Sequence, residues 1–151
     1  MKMKSNKTAY EAALHLLKYK LQSSYELTQK LKVRKYSEDD IRQAIEKLEY
    51  YGYVNDESLA EDLFNKYKEM NAYGDLYVHR KLKKMGLHFD DHLTFEDELQ
   101  AAMHVMKSKL SLVPAVQKNY ARAAGILVRR GFRYSVVQTV LSTLNIHDRE
   151  D

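Results

Sequence analysis

Three groups of cations carry the most regular chemistry in this chain. Lys30, Lys32, Arg34 and Lys35 form the first, Arg80, Lys81, Lys83 and Lys84 the second, and Arg129, Arg130 and Arg133 the third. Ammonium and guanidinium groups at this density bind phosphate or carboxylate oxygens, and a spaced row of them can follow a polyanion. A second cause produces the same pattern. Cations near a helix C-terminus, like acids near an N-terminus, each contribute roughly 0.3–1 kcal/mol through the macrodipole. That effect also accounts for Glu38, Asp39, Asp40, Asp90 and Asp91. It leaves unexplained residues 99–147, where seven bases stand with no acid, even at the starts of helices. The same cluster at the same place in each segment favours binding over solvation alone.

The remaining reactive residue types point elsewhere. Tyrosine faces can stack nucleobases. Tyr50, Tyr51 and Tyr53 surround Gly52, and Tyr73 and Tyr77 flank the next turn. Packing between helical units, with hydroxyls at the rim, is the favoured expectation for all five. His88 and His92 have the four-residue spacing of two ligands on one helix face, with Asp91 nearby. No third or fourth ligand is evident, so no metal site and no cofactor are expected. There is no Cys, which excludes a disulfide framework, thiolate zinc sites, iron–sulfur clusters and a Cys nucleophile. The five glycines are too dispersed for a phosphate-cradling loop, and no nucleophile elbow is present. The acidic pairs sit on exposed helix starts, so no catalytic residue is expected.

Helices must position the cations. Thr8 to about Lys20 reads as one helix. Ser23 and Glu26 have capping-box spacing, in which hydroxyl and carboxylate satisfy opposite orphan amides, and open a second that ends near Lys35. A third starts at Ser37, carries Ile41, Ile45 and Leu48, and ends at Gly52. The next segment starts near Asp56, turns at Tyr73 and Gly74, caps with Asp75 and runs from Val78 to Lys84 before Gly86. A further helix is expected from about Asp90 to Glu98. The last segment uses Glu98 to Leu110, a loop at Val113 and Pro114, then Gln117 to Arg130 and Tyr134 to Leu144. Gly86 and Gly131 fit a left-handed position just past a helix end, where a Cβ would clash. No segment alternates with a period of two, so no sheet is expected.

These segments repeat. Leu31 to Tyr36, Leu82 to Leu87 and Leu127 to Phe132 share one pattern, with opening leucines 51 and 45 residues apart. Each precedes a helical stretch closing on Leu48, Leu99 or Leu144. Ala13, Leu16 and Leu17 correspond to Ala60, Leu63 and Phe64, and to Ala102, Val105 and Met106, an apolar stripe at i, i+3 and i+4. Charge alternates along the chain, with +7 over residues 1–35, −7 over 36–62, +4 over 63–88, −5 over 89–98, +7 over 99–147 and −2 over 148–151, for a net +4. The expected fold is all-α: three tandem three-helix repeats (8–54, 55–97 and 98–147) stacked as one elongated, curved array. The 151 residues contain no run of the eighteen or more apolar residues a membrane span needs. The basic opening, Met1 to Lys7, leads into a stretch broken by His15 and Lys18, so a signal peptide is not expected and a cytoplasmic location is.

The order and spacing of these pieces resemble the RecX family of regulators of the RecA recombinase. Leu16, Leu17, Lys20, Ser23, Glu26, Leu27, Lys30 and Leu31 resemble its opening pattern, with Lys20 where arginine is usual. Gly52 to Asp56 followed by Leu59 and Ala60 resembles its next segment, with Val54 and Asn55 where Leu-Asp is common. Gly74, Val78, Leu82, Gly86 and Leu87, and then Arg129 to Phe132, match later ones. The likeness covers about residues 9–146. Lys35 stands where the family pattern usually has glycine.

The resemblance implies a non-enzymatic modulator that lies along a RecA filament on single-stranded DNA, contacting protein and phosphates. Its partners would be RecA and single-stranded DNA, its expected effect inhibition of recombinase and ATPase activity, and its role DNA repair and recombination. Nothing demands more than a monomer, and no membrane partner is expected. Two other readings stand beside it. Short basic helices can be duplex-DNA-reading modules, although those need base-reading residues near a helix N-terminus and usually a dimer. The array could also be a scaffold for a helical protein without nucleic acid.

Overall fold

The helices opening at Ala9, Ser24, Glu38, Phe95 and Tyr120 start where the side chain just before them satisfies an orphan amide. In the computed structural model, which describes residues 6–148, Thr8 accepts from the Glu11 amide at 3.1 Å and opens α1 (Ala9–Leu17). The ends of the chain, residues 1–5 of the basic opening and 149–151, lie outside the described residues. The Ser23–Glu26 capping box is present at both of its bonds and opens α2 (Ser24–Val33). Ser37 caps α3 (Glu38–Tyr50). Then follow α4 (Asp56–Met70), α5 (Asp75–Lys84), α6 (Phe95–Leu112), a 3-10 turn (Pro114–Lys118), α7 (Tyr120–Arg129) and α8 (Tyr134–Thr143). The described residues contain no strand, as the absence of two-residue alternation implies.

The chain divides into two compact units. One comprises residues up to Glu61 together with Leu82–His88, and the other Asp62–Lys81 together with residues from Phe89 onward. In the first, Ile41, Ala44, Ile45 and Leu48 form the inner stripe of α3 and pack with Ala12 and Ala13 of α1 and Leu27 and Leu31 of α2. The alanines matter because small side chains let helices approach closely. In the second, Ala102, Val105 and Met106 of α6 meet Ala123 and Leu127 of α7 and Val136, Val137, Val140 and Leu141 of α8. Fully burying each larger aliphatic side chain contributes about 1.5–3 kcal/mol. Among the described residues no helix is long and apolar enough to cross a membrane.

Helices α2, α5 and α7 end in the same way. The Tyr36 amide donates to the Leu31 carbonyl at 3.3 Å, Leu87 to Leu82 at 2.8 Å and Phe132 to Leu127 at 3.3 Å. The residue before each, Lys35, Gly86 or Gly131, takes a left-handed φ of 68°, 71° or 83°. These are Schellman turns at the three corresponding leucine-to-aromatic or leucine-to-leucine motifs. Their surroundings explain the residue choice. A Cβ on Gly86 would lie 2.4 Å from the Tyr25 Cβ, and one on Gly131 would lie 2.2 Å from the Tyr77 amide nitrogen. In the first unit the Ser23 hydroxyl donates to the Met85 carbonyl. In the second the Gly74 amide donates to the Arg130 carbonyl at 2.8 Å and that of Leu76 to Gly131 at 3.3 Å. A helix start thus sits on each of these two glycine turns, and its positive end faces negative carbonyls.

One expected element is absent. Residues 87–94 are not helical, so the helix expected from about Asp90 to Glu98 does not form. The Asp75 carboxylate accepts the Leu93 amide at 2.7 Å, and Leu93 itself is buried, which holds this segment as an extended strap. Helix α6 starts only at Phe95, where Thr94 and Asp97 form a capping box. The Thr94 amide, foremost, holds the Asp97 carboxyl below its usual range against partial desolvation, with the Thr94 hydroxyl and Lys68 assisting. A carboxyl depressed in the folded state stabilises above its unfolded pKa, and the contribution is lost as pH falls through the folded value.

Two outcomes follow for urea unfolding. Lys35→Gly relieves a left-handed side chain and should stabilise by about 1 kcal/mol, whereas Gly131→Ala should destabilise by roughly 2–4 kcal/mol. Asp97→Asn should flatten the loss of stability between neutral and acid pH, and an unchanged acid limb would contradict the assignment.

Candidate nucleic-acid and partner interface

The structure sorts the eleven expected cations into presented and engaged groups. At the end of α2, Lys32, Arg34 and Lys35 are exposed, while Lys30 is half-buried and donates to the Gln22 side chain. The exposed members meet different surroundings. Lys32 borders an open groove of about 590 Å³ between α2 and α3, which Glu38, Arg42, Glu46 and Glu49 also line. Arg34 borders a smaller depression of about 170 Å³ with Lys7, His15 and Tyr36, where the local charge is positive. On α5, Arg80, Lys83 and Lys84 are all exposed at i, i+3 and i+4, which places them on one helical face. Lys81 turns to the other side and lies 5.3 Å from the Tyr77 ring centroid.

The third cluster is mostly engaged internally. Arg133 pairs with Glu98, whose side chain is 1% exposed, and its guanidinium also donates to the Leu93 carbonyl at 2.7 Å. The Arg133 amide donates to the other Glu98 oxygen at 2.9 Å, so the same carboxylate caps the start of α8. A buried carboxylate needs this complete set of partners, because an isolated charge could not be desolvated at tolerable cost. Arg130 donates to the Ala72 carbonyl at 3.2 Å and lies over the Tyr73 ring. Arg129 is exposed, its guanidinium lying back over Gly125. The acid-free block 99–147 also acquires a local explanation: its helix starts borrow carboxylates from its flanks. Glu98 serves α8, and Asp148 accepts the Tyr120 amide of α7 at 3.2 Å, beside the Asn119 cap.

The tyrosines divide. Tyr73 and Tyr77 stack at 4.1 Å with Tyr67 edge-on to both, as packing requires. Tyr50, Tyr51 and Tyr53 do not pack as expected: they are 83%, 57% and 54% exposed, in contact chiefly with one another. Their exposed neighbours along α3 are Glu46, Lys47 and Glu49, a mixed face of net negative charge that suits protein better than phosphate. A further group escaped the sequence reading. His79 and His92 bracket the Asp75 carboxylate, at 3.3 and 2.8 Å, although His92 is seventeen positions from Asp75. His88, four residues before His92 in sequence, falls in the other compact unit.

Known proteins share this organisation. Residues 9–48, spanning α1 to most of α3, match the family described as RecX, first three-helix domain. The Regulatory protein RecX of Bacillus velezensis is 31% identical over 89% of this chain and 54% of its own length, and that of Bacillus subtilis 29% identical over 96% and 58%. Over most of its length the chain is similar to RecX proteins. It spans just over half the length of these two curated RecX relatives. A crystal structure of RecX from Lactobacillus salivarius has the same fold, with a TM-score of 0.75, 23% identity and coverage of 91% of this chain and 94% of that one. The RecX relatives carry the name of a regulatory protein.

Breaking the buried pair should be costly in a way that surface charge is not. Arg133→Ala should destabilise the second unit by about 3–5 kcal/mol through the orphaned Glu98, whereas Arg129→Ala should change stability by less than about 0.5 kcal/mol. Comparable unfolding midpoints for the two variants would contradict the assignment.

Proposed function

We propose that this chain is a regulator of the RecA recombinase, binding RecA filaments on single-stranded DNA and inhibiting their ATP turnover and strand exchange. The observation that carries the reading is the recurrence of exposed cations at the ends of α2, α5 and α7 in a chain similar to RecX proteins. Arg34 and Lys35, then Arg80, Lys83 and Lys84, then Arg129 are the residues assigned to phosphate or to acidic protein surface. Lys30, Lys81 and Arg130 support them from half-buried positions, and Lys32 is shared with the acidic groove. Arg133 is assigned to positioning, because Glu98 holds it. The exposed tyrosines Tyr50, Tyr51 and Tyr53, beside a mixed face of net negative charge, are assigned to the protein side of the complex. No catalytic step is assigned to any residue, and regulation by occupancy needs none.

The test is to add the chain, from substoichiometric to equimolar, to RecA-coated single-stranded DNA while following ATP hydrolysis and strand exchange. Both should fall. Charge reversal at Arg80 and Lys83 together should weaken the effect by about tenfold or more, whereas reversal at Glu38 and Asp39 should weaken it little. No effect of the wild-type chain at equimolar protein would overturn the reading. Equal losses from the basic and acidic reversals would remove the cations from it.

A further inference from the structure

The group around Asp75 uses none of the cations assigned above. Asp75 opens α5, His79 follows one turn later on the same helix face, and His92 comes from the strap that replaces the expected helix. The His79 Nε2 lies 3.3 Å from one Asp75 carboxylate oxygen, and the His92 Nδ1 lies 2.8 Å from the other. The two imidazole rings are 4.5 Å apart, and one donor atom from each of the three residues lies within 4.8 Å of the others. The Asp91 carbonyl oxygen is 3.0 Å from the His79 Nε2, which brings a fourth donor to the same place.

We propose that Asp75, His79 and His92, completed by the Asp91 carbonyl or water, form a zinc site. Two imidazole nitrogens and a carboxylate are a ligand set that zinc takes, with bonds of about 2.0–2.2 Å. Ligand atoms on one tetrahedral ion stand about 3.3–3.6 Å apart, so the set closes with side-chain movements on the order of 1–1.5 Å. His92 is free to make them, since its side chain is 66% exposed. The outer shell is also in place. The Leu93 amide donates to Asp75 at 2.7 Å and orients the carboxylate. The Phe64 and Phe89 rings lie 5.0 Å apart at a 42° tilt, and Phe64 stands beside the His79 ring, forming an apolar wall on one side while His92 leaves the other open. The nitrogen donors select zinc over magnesium or calcium, which prefer all-oxygen shells. Bound there, the ion ties the strap at His92 to the start of α5, reinforcing the hydrogen bonds that His92 and Leu93 make to Asp75.

The experiment uses the full chain after treatment with a chelator. Zinc is titrated in competition with a chromophoric chelator, and cobalt is titrated separately for the visible absorption of a tetrahedral complex. One equivalent should bind with micromolar affinity, the melting temperature should rise with zinc, and magnesium should do neither. His92→Ala, at an exposed position, and His79→Gln should each weaken zinc binding at least tenfold. His88→Ala and His104→Ala should leave it within twofold. No binding at hundred-micromolar zinc would overturn the proposal. So would binding that survives both ligand variants, or that His88→Ala removes equally.

Discussion

The structure depends on helices that stop within a single residue so that another helix can start against them. A helix interior cannot be approached end-on, because its carbonyls are already paired. The C-terminal turn can, provided one residue adopts a left-handed backbone and no side chain stands in the way. Gly86 carries the start of α2 in this way, and Gly131 carries the start of α5. Lys35 makes the same turn at the end of α2, but its side chain projects into solvent, and lysine is tolerated there at a modest conformational cost. Two constraints therefore act at these positions, backbone sign and free space, and only their coincidence demands glycine.

The same geometry explains where charge is spent. A helix that ends at a tight turn exposes carbonyls, and cations gather around them. Some of those cations are then drawn into the fold. Arg133 satisfies the fully buried Glu98, and Arg130 reaches back to the Ala72 carbonyl and the Tyr73 ring. Arg34, Lys35, Arg80, Lys83, Lys84 and Arg129 remain presented to solvent. Acids are distributed by the complementary rule. Carboxylates at Asp56, Asp75, Glu98 and Asp148 each accept an amide from a segment distant in sequence, at Ser24, Leu93, Arg133 and Tyr120 respectively. The alternating charge blocks of the chain reflect this exchange of caps between segments as well as any external partner.

Much of this was legible in the sequence because it is local. The capping spacing of Ser23 and Glu26, the apolar stripe of Ile41, Ile45 and Leu48, and the stops at Gly86 and Gly131 each depend on residues within one or two turns. The family likeness, read from the order of these pieces, was legible for the same reason. The helix expected at Asp90 was misread because the Thr94–Asp97 cap was overlooked and because Asp75 competes for the Leu93 amide from eighteen residues away. Glu98 looked like one more member of an acidic run, and nothing local distinguishes a carboxylate that will be buried. The spacing of His88 and His92 gave no metal site, while the actual neighbour of His92, His79, is reached only through the fold. The exposure of Tyr50, Tyr51 and Tyr53 was hidden for the opposite reason, since aromatic residues beside a glycine turn usually pack.

The central claim is that the cations left in solvent at the helix ends meet the phosphates of a polyanionic filament. The salt dependence of binding to recombinase-coated single-stranded DNA measures this most directly, as the slope of log affinity against log salt. Each cation that displaces a counterion contributes a little under one to the slope. Replacing Arg80 by alanine should therefore lower the slope by about one, and replacing Arg133 should leave the slope of the folded fraction unchanged. A slope near zero for the wild-type chain, or one indifferent to Arg80, would contradict the claim.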